Sequence, residues 1–120
     1  MAAAKPGLER SFGAQAASRI SGVPYSTLDF WARSGILEPS IAVAKGTGSD
    51  RMYSLTDLYA LRALAGCPIK TAKIQRMIVE EIRRAPPCAH GVFVELNDVV
   101  ELAIDLETIM REVNEKAGKT

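Results

Sequence analysis

The 120-residue sequence predicts a mainly α fold, a winged helix-turn-helix with a small β-hairpin wing, followed by a linker helix and a C-terminal coiled-coil-like helix. Three observations carry this. Two short stretches with helical apolar spacing are joined by the tight link "SGVP". A glycine-rich tip, Lys45-Gly-Thr-Gly-Ser-Asp50, separates two short extended stretches. Longer amphipathic stretches follow, punctuated by Pro68 and by Pro86-Pro87.

In order along the chain, residues 1–10 are small and Ala-rich and read as a disordered tail. Ser11 can cap a first helix from about Gly13 to Ile20, whose Phe12, Ala16, Ala17 and Ile20 recur at helical spacing, and Gly22 ends it. Pro24 suits the first turn of a second helix, where its missing N–H costs little, and Gly35 closes that helix. Leu28, Trp31, Ala32 and Gly35 form the face that packs on the first helix, whereas Ser26, Asp29, Phe30 and Arg33 repeat at the same spacing on the opposite face. Phe30 and Trp31 are neighbours and point about 100° apart, so one core does not easily take both rings. Trp31 is expected inside; Phe30 lies outward against a partner, or else covers the base of the hairpin.

The stretches around Ile41 to Val43 and Arg51 to Tyr53 make the two wing strands, with Lys45 near the tip. Ser54-Leu-Thr-Asp57 reads as a capping box opening a third helix through Leu58, Leu61 and Leu64 to Gly66, which completes a domain over residues 11–66. Residues 67–90 supply a linker helix, about Ile69 to Arg84, and a loop. Residues 91–120 supply a short strand, Val92 to Leu96, and a final helix capped by Asn97 and running to about Lys116. Along it Val99, Leu102, Leu106, Ile109 and Val113 are spaced 3, 4, 3, 4, the seam of a helix that pairs with another helix. The competing reading is an ordinary amphipathic helix on its own domain, because Val100, Ala103, Ile104 and Met110 widen the apolar face.

Net charge is only +1, but its distribution is uneven. Arg62 to Arg84 holds six bases against two acids, while residues 92–120 hold three bases against seven acids, so the acidic end is not expected to face phosphates. No apolar run approaches the roughly 18 residues of a membrane span, and the start lacks the apolar stretch of a secretory signal, so the cytoplasm is the expected location. Cys67 and Cys88 fit no disulfide framework or four-ligand zinc spacing. They read as inert thiols; the alternative, Cys88 and His90 as soft ligands or a redox switch, lacks the further ligands that close a metal site. No catalytic constellation, cofactor or metal site is expected.

Helix, turn, helix, hairpin, helix, with bases in the second helix and the hairpin, is the layout of a domain that inserts a helix in the major groove and lays a wing on flanking phosphates. The stretches "FGAQAASRISGVPYSTLDFWARSGILEPS" and "RMYSLTDLYALRAL" resemble the N-terminal domain of the MerR family of transcriptional regulators over Phe12 to about Leu64, and "GCPIKTAKIQRMI" resembles the linker helix that follows it. The resemblance implies a homodimer, held by a C-terminal antiparallel coiled coil, on a palindromic operator in double-stranded DNA. It also implies bending and untwisting of that DNA in promoters read by RNA polymerase, with deformation energy as a source of specificity. Carried over by residue, it places DNA contacts at Phe30, Arg33, Arg51 and Tyr53. Arg19, Ser26, Thr27 and Lys45 are added from their places on the two helices and the wing.

Where many family members have Arg before the aromatic pair, this chain has Asp29, which excludes phosphate binding there; it can accept from cytosine N4 or orient Arg33. Two other readings stay open. One is an architectural or recombination-directionality DNA-binding protein, and the other a protein-interaction module or antitoxin without promoter control. The effector, if any, is not legible.

Overall fold

The computed structural model describes residues 10–41 and 51–118. Residues 1–9 of the expected tail, the wing positions 42–50 with Lys45, and residues 119–120 lie outside the described residues.

Strand β1 (Ser11–Gly13) precedes helix α1 (Ala14–Ser21) and helix α2 (Tyr25–Ser34). The expected cap at Ser11 is corrected: Gly13 occupies the N-cap without a side-chain hydrogen bond, and Ser11 is a strand residue. Both helices end at a glycine in the left-handed region, Gly22 at φ 81° and Gly35 at φ 82°, a conformation that side chains with a Cβ resist. Serines hold the link between them. Ser18 Oγ donates to Val23 O at 2.6 Å, Ser21 Oγ donates to Ala17 O at 2.6 Å, and Val23 N donates to Ser21 Oγ at 3.2 Å. The turn is thereby fixed with its backbone groups paired, which buried backbone requires.

Strand β2 (Met52–Ser54) pairs antiparallel with β1 in the register Ser11 to Ser54, Phe12 to Tyr53 and Gly13 to Met52. Ile41 N donates to Met52 O at 3.3 Å, which links the wing's outgoing chain to its return strand. Helix α3 (Leu55–Gly66) opens on the expected capping box: Asp57 N donates to Ser54 Oγ, and Ser54 N donates to the Asp57 carboxylate. Leu58, Leu61 and Leu64 are fully buried, with Ile20, Leu28 and Leu37 among their companions in one core.

Helix α4 (Ala72–Arg84) is the linker helix. Its Ile78, Val79 and Ile82 enter the same core, while Arg83 reaches Glu38 O at 2.7 Å and Asp57 Oδ1 at 2.9 Å. Asp57 also accepts from Ser40 N at 2.7 Å and Ser40 Oγ at 2.8 Å, so one buried carboxylate joins α3, α4 and the chain after α2.

The C-terminal third departs from expectation. Strand β3 (Val92–Glu95) pairs with a strand β4 (Glu101–Ile104), and the last helix, α5, spans only Leu106–Gly118. Asn97 caps no helix; its Oδ1 accepts from Val99 N at 2.8 Å and Val100 N at 2.9 Å and so builds the hairpin turn. The true cap is Asp105, whose carboxylate accepts from Thr108 N at 3.0 Å and Thr108 Oγ1 at 2.8 Å. These bonds stabilise the anion and hold the Asp105 pKa below its usual value.

The five-residue helical seam is accordingly corrected. Val99 lies exposed in the hairpin turn and Leu102 lies on β4, so neither is on the helix with Leu106, Ile109 and Val113. Leu106 and Val113 are buried in the chain's own core, beside half-buried Ile109. Helix α5 is fastened to its own domain by Tyr59 Oη donating to Asn114 Oδ1 at 2.8 Å, Arg62 Nε to Glu112 Oε1 at 3.0 Å, and Arg10 Nη2 to Ala117 O at 3.0 Å.

Candidate nucleic-acid interface

Helix α2 buries Leu28 and Trp31 and turns its other side to solvent. Phe30 is 54% exposed and Tyr25 46% exposed, which disposes of the reading in which Phe30 covers the hairpin base. Ser26 and Arg33 are exposed and Thr27 is half-buried on the same helix. Arg19 is exposed on the last turn of α1. Tyr25 is the residue that sequence reasoning passed over. Its signal was its place directly after Pro24, in the first turn, where a groove-inserted helix makes base contacts.

Asp29 organises this face. Its Oδ2 accepts from Arg33 Nε at 2.8 Å, one helical turn away, and its Oδ1 accepts from Arg51 Nη2 at 2.7 Å. Hydrogen bonds from Arg51 and then Arg33 hold the Asp29 pKa below its usual value, so the pair of bridges persists as an ionic clamp through neutral pH. Of the two roles the sequence left for Asp29, the structure shows the orientation of Arg33.

The two arginines differ sharply in exposure: the Arg33 side chain is 65% exposed, the Arg51 side chain 7%. Arg51, expected as a wing contact to DNA, is mostly buried here and ties the chain just before β2 to α2 through Asp29. Tyr53, two residues on, is fully buried against the core, with its hydroxyl unpartnered, and desolvation pushes its pKa up to about 12. It does not present a hydroxyl to a ligand in this conformation.

Two basic residues of α4 are drawn into contacts with other elements as well. Arg76 Nη2 donates to Ser34 O at 3.2 Å, at the C-terminal end of α2 where the helix dipole favours a cation. Together with Arg83, it seats α4 against the helix-turn-helix. Elsewhere Cys67 is buried, Cys88 is exposed, and His90 Nδ1 lies 3.3 Å from Glu107 Oε1. Among the described residues no helix is long and apolar enough to cross a membrane.

The residues forming this face fall inside a match to the family model described as "MerR HTH family regulatory protein", which covers residues 14–68. One "Uncharacterized HTH-type transcriptional regulator" from Mycobacterium bovis and two of the same description from strains of Mycobacterium tuberculosis are each 46% identical to the chain over 46 residues. That stretch is 38% of this chain and 20% of each relative, so the similarity concerns the helix-turn-helix region and spans about one-fifth of the curated relatives' length. Family model, relatives and fold agree on one point: residues 14–68 are similar to the helix-turn-helix of the MerR regulator family.

Proposed function

We propose that the protein is a sequence-specific transcriptional regulator that binds a palindromic operator as a homodimer and distorts promoter DNA. Exposed Tyr25, Ser26, Phe30 and Arg33 on α2 would enter the major groove. Arg19 and the wing segment with Lys45 would meet flanking phosphates. The observation that carries this reading is the exposed polar and aromatic face of α2, on which Asp29 bridges Arg33 and Arg51. Rigid mounting of the reading side chains is what sequence discrimination needs. Phe30, apolar and exposed, suits a thymine methyl or the sugar-phosphate edge.

The homodimer rests on the family likeness, because Leu106 and Val113 are occupied within their own subunit. A second copy would have to meet another surface, and Phe93, Val99 and Val100 are large apolar side chains left exposed on the β3–β4 hairpin. Operation in the cytoplasm, on promoters engaged by RNA polymerase and without catalytic turnover, belongs to the same proposal.

Selection of bound sequences from a random duplex pool tests it. The expected product is an inverted repeat, bound at two chains per duplex in sedimentation and bent when donor and acceptor dyes are placed at the duplex ends. A single asymmetric site bound by one chain would remove the dimeric operator from the proposal, and enrichment of nothing would remove DNA binding altogether.

A further inference from the structure

The way Arg33 is held indicates which base it reads. A guanidinium has one donor on Nε and two on each terminal nitrogen, arranged as a planar fork. Asp29 Oδ2 takes the Nε–H at 2.8 Å, which fixes the plane of the group. Asp29 is restrained from swinging with Arg33, because its other oxygen is held at 2.7 Å by Arg51, a side chain 7% exposed that immediately precedes β2. The Arg33 side chain is meanwhile 65% exposed, so its end projects from the α2 face beyond the contact with Asp29. With both carboxylate oxygens engaged, the group left to address a base edge is the end-on pair of Nη donors. Two parallel donors match the two acceptors O6 and N7 of guanine in the major groove; adenine and the pyrimidines do not offer that pair there.

We infer that Arg33 reads a guanine end-on through its two terminal nitrogens, and that Asp29 is the positioning residue that imposes this geometry by bridging Arg33 to the wing residue Arg51. The inference rests on the DNA-binding reading above and goes beyond it by naming the base and the device that selects it. Asp29 also neutralises in part the exposed Arg33 guanidinium on the reading face, which limits attachment to DNA of any sequence.

The test uses the full chain and duplexes obtained by selection from a random pool, each guanine of the selected site then being replaced singly by 7-deazaguanine, which lacks the N7 acceptor. In the parent protein one guanine per half-site should show a loss of affinity of roughly tenfold on replacement. In Asp29→Asn a single carbonyl oxygen can serve only one arginine and the amide nitrogen repels the other, so the same replacement should change affinity by less than about twofold, while binding to unrelated duplexes strengthens. Arg33→Lys leaves the Asp29 to Arg51 bridge intact and so preserves the fold, yet a single ammonium cannot make the paired contact, and the guanine dependence should be lost likewise. If the parent protein selects a site in which no guanine N7 matters, or if Asp29→Asn retains the full penalty, the inference falls and DNA recognition stands. If the parent enriches no duplex, both fall together.

Discussion

Two buried polar side chains beside the candidate interface behave in opposite ways. Asp57 is fully buried and accepts from Ser40 N and Oγ, Ser54 N and Arg83, so its charge is matched on several sides. Removing the charge while keeping the shape, in Asp57→Asn, leaves the partners from three elements competing for one oxygen, and stability should fall by about 3 kcal/mol, read from urea or thermal unfolding. Tyr53 is buried to the same degree, but its hydroxyl has no partner. Tyr53→Phe should therefore be neutral or up to about 1 kcal/mol more stable near neutral pH, since an unsatisfied polar group is taken out of the core.

The alkaline behaviour of Tyr53 follows from its raised pKa. The folded protein keeps the phenol proton until about pH 12, whereas the unfolded chain releases it near the ordinary value of 10.0. The contribution is full below 10.0 and declines as pH rises toward about 12. Unfolding midpoints compared on the two sides of that window should drop more steeply for the parent than for Tyr53→Phe. The family resemblance gave Tyr53 a contact to DNA; strand alternation beside Arg51 and the pairing with Phe12 turn its side chain to the core.

At the scale of elements, the helix-turn-helix and the capping box were legible because their signals are local: Gly22, Gly35 and Ser54 each act within a few residues. Strand β1 was not legible, since three residues carry no periodicity and the strand exists only through pairing with β2, about forty residues away. The C-terminal hairpin was misread for a different reason. Val99, Leu102, Leu106, Ile109 and Val113 satisfy a heptad count, yet the first two belong to a turn and a strand. Asn97 supplies the same side-chain chemistry to a hairpin turn that it would supply to a helix start. Packing of α5 on its own subunit has a measurable outcome: Leu106→Ala should cost about 2 to 3 kcal/mol, and the loss should not change when the protein is diluted before unfolding. A loss that grows with dilution would mean that Leu106 stabilises an assembly instead.

For the molecule as a whole, net charge is low, and Arg51, Arg62, Arg76 and Arg83 are engaged in internal contacts. Among the described residues of the helix-turn-helix, exposed Arg19 and Arg33 are the candidates for phosphate or base contact, and the sequence adds Lys45. The salt dependence of duplex binding should then be shallow, with a logarithmic slope of about −2 to −3 per subunit, measured by fluorescence anisotropy over a salt series. Arg19→Ala should reduce that slope by about one and weaken all duplexes alike. None of this accounting was available from composition, because a sequence counts arginines without saying which ones face inward.

Strand β1 also has a practical bearing on how the protein is handled. Because Ser11–Gly13 is paired with the strand that directly follows Arg51, an affinity handle attached upstream would tug on the very platform that sets Asp29. Steric load there would be felt as altered operator preference well before it registered as lost solubility, so fusions intended for binding assays belong elsewhere on the chain.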